Sequence, residues 1–344
     1  MYLAQEIREQ PTIIARLLSE QASAIQQVAE AIKQFAPSMV CIAARGTSDN
    51  AARYAKYTLG AFAGLPVMLA APSLHTIYQR PPKLDKALVI GISQSGQAAD
   101  VLQVIRDAKA QGALTVGITN YEDSPIAQTA DFHLALMAGE ERSIAATKTY
   151  TAQLTLLAML TAAVSGDEKL KHDLSRLPQL VDETLALSEP IHDWAERYRY
   201  MERFAVIGRG FNYCTAFEIS LKVKELCYIS ANGYSEADFR HGPIATIQHG
   251  FPVMLVAPEG AMLPYMHDLT EKLCERGAEC LIISSDTQIA KQATYHMPLP
   301  HHVPEWLSPI VSVIPGQIFA MQQAVVRGYA VDSPRGLSKV TITQ

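Results

Sequence analysis

Two short polar segments of the chain follow apolar stretches of the kind that form buried strands: GTSDN and SQSG. Their hydrogen-bond donors are Thr47, Ser48, Ser93, Gln94 and Ser95. At the carboxyl end of a parallel strand, these side chains would stand beside the backbone amides that open the next helix. That position favours an anion, because unpaired amides and the helix dipole both attract negative charge. The pattern predicts a phosphate-binding site.

The residues of SQSG limit which phosphate compound can bind. The loop holds no lysine or arginine, and no GxxxxGK[ST] segment occurs in the chain, so a nucleotide triphosphate cradle is excluded. A single phosphate monoester fits better. The alternative is that Ser95 only caps the following helix and Ser93 only ends a strand. A dinucleotide site is disfavoured, because Gly208 and Gly210 are followed by Tyr213 where GxGxxG needs glycine.

A charged row lies on the predicted helix EISLKVKELCYIS. Glu218 and Lys222 are four residues apart, and Lys222 and Glu225 are three apart, so all three share one helical face. The alternative is a solvated charged stripe. Apolar neighbours argue that much of this helix is covered, and a carboxylate in such a setting can serve as a general base.

Two further groups could move protons or bind a carbonyl. His241 stands in the loop RHGP, where a histidine is a candidate acid or base, although a lone histidine is more often structural or exposed. Lys339 lies in the tail VDSPRGLSKVTIT, which either ends the chain as a polar strand or closes over a site and brings an amine. No HExxH or Cys/His spacing occurs, so no metal is expected.

Length and composition describe a globular chain of about two domains. It has 344 residues, of which 49% are hydrophobic and 18% charged, with a net charge of −5. Nucleic acid is therefore not expected as a partner. The chain has no run of 18 apolar residues and no signal peptide, so we expect a cytoplasmic protein without a membrane span. Five irregularly spaced cysteines are expected to be buried and reduced.

Apolar segments alternate with helical ones, which predicts an α/β fold with parallel sheets. The predicted strands are 39–44, 66–70, 87–93, 113–119, 131–136, 203–208, 252–257 and 279–284. The predicted helices are two within 4–35, then 49–62, 98–112, 146–165, 213–228, 263–276 and 308–327. The pattern restarts after residue 198 as an internal repeat, since Gly46 corresponds to Gly210 and Gly96 to Gly260, each 164 positions on.

The two copies differ at the polar loop, where the second copy has Ala257, Pro258 and Glu259 in place of the two serines and the glutamine. Serines in only one copy indicate a site rather than a structural turn. The expected organisation is N-terminal helices in 1–34, a first α/β domain with the phosphate loops in 35–166, a helical connector in 167–198, a second α/β domain with the catalytic helix in 199–330 and a tail closing the site in 331–344.

Several motifs together resemble one family. GTS, ISQSG, the segment from Glu141 to Tyr150 with its ATK, LKVKE, RHGP and the tail D-x-PRGLSKVT are similar to the sugar isomerase (SIS) family. The resemblance covers residues 35–344 and is strongest to the isomerase half of glutamine–fructose-6-phosphate aminotransferases, which has two SIS domains. It implies two domains of the three-layer α/β/α type, each built on a parallel sheet.

The resemblance also implies residue roles. Glu225 would move a proton between C1 and C2 of the sugar, His241 of the neighbouring subunit would open the ring, and Lys339 would reach the open-chain carbonyl. A homodimer with shared sites follows from the second role. The implied supporting and substrate-binding residues are Glu218, Lys222, Glu141, Ile144 and Ser338, besides the five of the phosphate loops.

Departures from the aminotransferase pattern point to the reaction. The chain is expected to lack the glutaminase domain, and Gln97 and Ala98 replace a glutamate and a threonine of that pattern. PRGLSKVT resembles the stand-alone SIS-type deaminases. The expected activity is conversion of glucosamine 6-phosphate and water to fructose 6-phosphate and ammonia, with a phosphorylated amino sugar as partner and no cofactor. A fructosamine-6-phosphate deglycase and a non-catalytic phosphosugar-binding protein remain alternatives.

Overall fold

The computed structural model describes residues 1–339, so the predicted end of the tail at 340–344 lies outside the described residues. Two five-stranded sheets form the scaffold. Sheet 1 contains β1 (Met39–Ala43), β2 (Val67–Leu69), β3 (Ala87–Ile92), β4 (Leu114–Thr119) and β5 (Phe132–Ala135). Sheet 2 contains β6 (Arg203–Gly208), β7 (Ser230–Ser235), β8 (Pro252–Val256), β9 (Glu279–Ser284) and β10 (Tyr295–Pro298).

Helices connect and cover these strands. The first eight are α1 (Tyr2–Arg8), α2 (Gln10–Glu20), α3 (Ala22–Phe35), α4 (Thr47–Ala63), α5 (Ser73–Thr76), α6 (Ala99–Ala110), α7 (Pro125–Thr129) and α8 (Lys148–Ser165). The others are α9 (Glu168–Ser175), α10 (Leu177–Leu187), α11 (Ile191–Trp194), α12 (Tyr213–Cys227), α13 (Glu236–Arg240), α14 (Leu263–Glu275), α15 (Thr287–Ala290) and α16 (Ser308–Val326). The chain before β1 thus forms three helices where two were expected.

The two sheets have the same topology. Sheet 1 runs β2-β1-β3-β4-β5 and sheet 2 runs β7-β6-β8-β9-β10, with every neighbouring pair parallel. This confirms the α/β prediction. In both sheets, the second strand of the copy pairs with one side of the first strand, and the third strand pairs with its other side. The loops after the first and third strands of each copy therefore flank a crevice at the carboxyl edge.

Two strands that the sequence did not reveal complete sheet 2. β7 has the sequence SANGYS, whose polar residues and glycine give no apolar run, and the predicted helix extended into its first residue. β10, YHMP, is short and half-polar. Both are edge strands, where one side of the ladder is open and propensity is a weak guide.

The cores form because alternate strand residues and helix faces are apolar. On sheet 1, residues of β1 and β3 pack with α6 in a cluster that includes Cys41, Val89 and Ile105. On sheet 2, residues of β6, β8 and β9 pack with α14 in a cluster that includes Leu255 and Leu269. Burial of these side chains supplies the main stabilising term for each sheet.

The chain divides into two compact units, each carrying one sheet. The sheet 1 unit consists of Thr12–Glu141, Lys148–Arg176 and the chain from Ser338. The sheet 2 unit consists of Met1–Pro11, Arg142–Thr147 and Leu177–Leu337. The chain therefore passes between the units several times, and the predicted boundaries at 34, 166, 198 and 330 do not coincide with the limits of these units.

One helical segment of the described residues, Glu305–Val326, is long and apolar enough to cross a membrane by composition. Of its apolar window, 78% is buried inside the protein, and the core helix of a globular domain has the same composition.

Gly316 allows α16 to approach α12 closely, because a β-carbon at that position would collide with Ile219. Four cysteines are buried as expected, whereas Cys274 is exposed.

Candidate functional site

The SQSG loop turns sharply after β3 and is held by its own side chains. Ser93 Oγ accepts a hydrogen bond from Gly96 N at 3.1 Å, and Ser95 Oγ accepts one from Gln97 N at 3.3 Å. Gly96 has φ of +67°, and a β-carbon there would collide with Ser124. The loop therefore needs glycine at this position both for its conformation and for its close approach to Ser124.

The possibility that Ser95 only caps α6 is wrong. The helix begins at Ala99, its N-cap is Ala98, and no side chain caps it. The hydroxyl groups of Ser93 and Ser95 accept from loop amides, so their hydrogens remain available for a ligand. A helix whose first turn lacks a side-chain cap leaves amides that an anion can bind.

The GTSDN loop after β1 lies at the same edge of sheet 1. Ala43 of β1 is level with Gly91 of β3, so the loops that follow leave the sheet side by side. Thr47 opens α4, and Ser48 is buried, with its hydroxyl accepting a hydrogen bond from Gln153 Nε2 at 3.0 Å. Both loops thus belong to one edge, and Ser48 also anchors α8.

A salt bridge that the sequence did not suggest joins these two loops. Arg45 Nε lies 2.6 Å from Asp100 Oδ2, and the Asp100 side chain is 0% exposed whereas that of Arg45 is 50% exposed. Arg45 immediately precedes Gly46, and Asp100 lies in the first turn of α6. The position of Arg45 directly before GTSDN was the signal in the sequence that could have identified it as a residue of this edge.

The sheet 1 unit also holds the predicted tail lysine. Lys339 Nζ lies 2.7 Å from Glu141 Oε2, and Glu141 is buried. The same carboxylate accepts hydrogen bonds from Thr149 N at 3.1 Å and Thr149 Oγ1 at 2.8 Å, at the start of α8. Glu141 and Lys339 are therefore in direct contact, and Ser338, which directly precedes Lys339, is exposed.

In the sheet 2 unit, the charged row on α12 is not a solvated stripe. Lys222 is 1% exposed and lies 3.4 Å from Glu218 Oε1 and 2.5 Å from Glu225 Oε2. Glu218 is 0% exposed, whereas the Glu225 side chain is 22% exposed. A buried ammonium thus holds two carboxylates, of which only Glu225 is accessible to a ligand. Such charges are costly to bury and are often functional.

His241 lies elsewhere in the same unit. It follows α13 directly, Gly242 after it has φ of +141°, and its side chain is exposed. Within residues 1–339, no hydrogen bond or ion pair joins it to Glu218, Lys222 or Glu225. The structure therefore brings the three α12 residues together but does not add the histidine of the same chain to them.

A cavity of about 540 Å³ borders His241. Beside it, the buried carboxylate of Glu236 binds both Arg209 and Arg240, and Arg209 stacks 4.3 Å from the ring centre of Tyr265. This cluster was not predicted, because its members are spread over 57 positions from Arg209 to Tyr265. It fixes α13, the helix that His241 directly follows.

The predicted residue Ile144 lies in the sheet 2 unit, at a place where three segments of the chain are hydrogen-bonded to one another. Ile144 N donates to Asp332 O at 3.1 Å, and the Asp332 carboxylate accepts from Tyr2 N and Leu3 N at 3.0 and 2.8 Å. The buried carboxylate of Glu6 binds the backbone amide and hydroxyl of Ser143. Helix α1, the loop at 142–144 and the segment leading to the tail are thereby tied together.

No metal site is formed by the described part of the chain. Among residues 1–339, no group of three or more His, Cys, Asp or Glu side chains could hold a metal ion. The site residues are hydroxyls, amides, carboxylates, two lysines, a histidine and an arginine, which suit anion binding and proton transfer.

Known proteins match this chain along its length. The sequence profile described as the SIS domain matches residues 35–163 and 199–327. The glutamine–fructose-6-phosphate aminotransferase [isomerizing] of Aquifex aeolicus is 37% identical over 345 residues, covering 99% of this chain and 57% of that protein. The chain thus spans little more than half the length of the curated relatives that it matches.

Solved structures match as well. The C-terminal domain of glucosamine-fructose-6-phosphate aminotransferase from Francisella tularensis has 28% identity and a TM-score of 0.86, covering 97% of this chain and 98% of that one. Glucosamine-6-phosphate deaminase from Thermotoga maritima has 23% identity and a TM-score of 0.76, covering 100% of both chains. At that identity the second similarity establishes the fold only.

Proposed function

This chain belongs to the SIS-domain family, and from that premise we propose that it converts glucosamine 6-phosphate and water to fructose 6-phosphate and ammonia. The observation that carries the proposal is the row Glu218, Lys222 and Glu225. It presents one partly accessible carboxylate that a buried ammonium holds in place. A fixed carboxylate at a ligand site is what proton transfer between neighbouring carbons requires.

Substrate binding is assigned to the loops of sheet 1. The phosphate would accept hydrogen bonds from Ser93, Gln94 and Ser95, with Thr47 and Ser48 on the neighbouring loop. Support comes from the serine hydroxyls that keep their hydrogens for a ligand and from the uncapped first turn of α6. The phosphate anchors the sugar, so that no metal or nucleotide is needed to hold it.

Chemistry is assigned to four residues. His241 of the partner subunit would help to open the sugar ring. Glu225 would take the proton from C2 of the open-chain aldose and return it to C1. The amine nitrogen gives up one proton as O1 gains one, so the C1 aldehyde becomes a CH₂OH group and the C2 amine becomes a C2 imine. Water then adds to the imine carbon, and ammonia leaves. Lys339, paired with Glu141, would donate a hydrogen bond to the open-chain carbonyl.

The first test measures ammonia and fructose 6-phosphate from purified protein in the absence of glutamine. Glucosamine 6-phosphate, galactosamine 6-phosphate and fructoselysine 6-phosphate are compared. We expect turnover of glucosamine 6-phosphate, with solvent deuterium entering C1 of the product when the reaction runs in D₂O. Turnover of fructoselysine 6-phosphate alone would instead identify a deglycase, and no turnover of any of the three would refute the enzymatic proposal.

Glu225→Gln tests the assigned base. It should lower kcat by roughly 10²- to 10⁴-fold, the usual contribution of a general base, while KM changes little. The matched control is Glu275→Gln, because Glu275 is an exposed glutamate at the end of α14. A Glu225→Gln enzyme with the activity of the control would show that the proton is moved by another group.

Sharing of the site between subunits is tested by mixing two inactive variants. Chains carrying His241→Ala are co-expressed with chains carrying Glu225→Gln, and mixed dimers are isolated by two different affinity tags. If His241 acts on the partner's substrate, the mixed dimer contains one site with both residues intact and regains activity. A mixed dimer as inactive as either parent would place both residues of a site in one chain.

A further inference from the structure

We propose that Arg45 is a phosphate-binding residue of the site, held in position by Asp100. This rests on the proposed function, whose phosphate loops it extends. The SQSG loop holds no cation of its own, yet a phosphate monoester carries close to two negative charges near neutral pH. Arginine is the side chain best suited to bind phosphate, because its planar fork offers five donors.

Register places Arg45 next to the loop. Ala43 of β1 pairs with Gly91 of β3, and Arg45 and Ser93 each follow these residues by two positions. Neighbouring strands are about 4.8 Å apart, so the backbone of Arg45 leaves the sheet beside Ser93. A side chain as long as that of arginine can reach a ligand seated on the SQSG loop from there.

The salt bridge orients the guanidinium of Arg45 but engages only its Nε atom. Asp100 accepts from Arg45 Nε at 2.6 Å, and its other carboxylate oxygen accepts from Val101 N at 2.9 Å. Within residues 1–339, neither Nη atom of Arg45 donates a hydrogen bond. Because Asp100 is fully buried in the first turn of α6, it fixes the guanidinium at the helix end that follows the SQSG loop.

The second copy of the repeat provides an internal control. Arg209 occupies the position equivalent to Arg45, 164 residues on. There the guanidinium is engaged within the protein, since Nη1 binds Glu236 at 2.5 Å and the group stacks on Tyr265. Arg209 is 30% exposed, against 50% for Arg45. The same position thus carries an engaged arginine in one copy and an arginine with open Nη atoms in the other.

Binding of fructose 6-phosphate and of inorganic phosphate, measured by titration calorimetry, tests this role without requiring turnover. Arg45→Ala should weaken both ligands by about 10- to 100-fold, the loss typical of a charge-assisted hydrogen bond. The loss should shrink as salt is raised. The matched control, Arg106→Ala, changes an exposed arginine on α6 and should leave both affinities unchanged.

A second variant separates binding from support of the loop. Arg45→Ala leaves buried Asp100 without its cation, which could displace α6, so Arg45→Ala/Asp100→Asn removes that charge as well. We expect the double variant to fold with near wild-type thermal stability and still to bind both phosphates weakly.

Wild-type affinity in the double variant would overturn the proposal and reduce Arg45 to a partner of Asp100. If the wild-type protein binds neither ligand, the proposal and the proposed function fail together. If it binds fructose 6-phosphate but releases no ammonia from any amino-sugar phosphate, the proposed function alone fails, and the variants still decide the role of Arg45.

Discussion

The carboxyl edges of the two sheets have the same topology but differ in the group that binds the turn amides. In sheet 1, the turn after β3 contains Gly96, and the next amide, Gln97 N, donates to the neutral hydroxyl of Ser95 at 3.3 Å. In sheet 2, the equivalent turn contains Gly260, and the carboxylate of Glu305 accepts hydrogen bonds from Ala261 N at 3.0 Å and Met262 N at 3.3 Å. In the second copy, a carboxylate side chain therefore occupies the turn amides that correspond to the proposed phosphate loop of the first.

This difference explains how a duplicated unit can divide its work. The filled edge cannot take a phosphate, because Glu305 occupies the amides, and Arg209 is bound to Glu236. The sheet 2 copy instead carries the charged row on α12. The sheet 1 copy keeps hydroxyls and an arginine open. We therefore assign binding to the first copy and proton transfer to the second.

Lys222→Met tests the charged row and should have the largest effect on stability. The substitution keeps the length of the side chain but removes the ammonium group that fully buried Glu218 contacts at 3.4 Å. Breaking a buried ion pair in this way costs about 3–5 kcal/mol in the free energy of unfolding. Urea denaturation and the thermal midpoint measure it. Glu218→Gln added to Lys222→Met should recover part of the loss, and an unchanged midpoint in Lys222→Met would contradict this description of the row.

Exchanging the two turns tests the comparison itself. Replacing Ser93, Gln94 and Ser95 with Ala, Pro and Glu puts a carboxylate where the phosphate is proposed to bind. We expect affinity for fructose 6-phosphate to fall at least about 100-fold, which is about 2.7 kcal/mol. The reciprocal exchange at residues 257–259 should leave affinity unchanged. Equal effects of the two exchanges on calorimetric Kd values would argue against a division of work between the copies.

Glu305→Ala probes the filled site and should have the smallest effect. The loss of a carboxylate that caps the amides before α14 should lower the free energy of unfolding by about 1 kcal/mol. Activity should not change. Glu305→Gln, which keeps an acceptor oxygen, should lose less. The idea that Glu305 only binds these amides fails if Glu305→Ala lowers kcat/KM as strongly as the loss of a catalytic group would, beyond what the change in thermal midpoint explains.

Local patterns in the sequence were sufficient for the fold class and for the row of charges on α12. The apolar strands and helix periodicities predicted most elements within a few residues, and helical spacing placed Glu218, Lys222 and Glu225 on one face. Strand β7 escaped prediction because SANGYS has no apolar run, although the repeat required a strand there. Ser95 was open to interpretation as a cap because helix ends are poorly fixed by sequence.

The sequence by itself determined the α/β repeat, the SQSG turn and the charged row, because each depends on residues close together in the chain. The tertiary structure decided the rest. Arg45 meets Asp100 across 55 positions, Glu305 reaches Ala261 across 44, and Lys339 reaches Glu141 across 198. Such pairs form only when folding brings distant loops together, so spacing along the chain carries no record of which turn amides a carboxylate occupies.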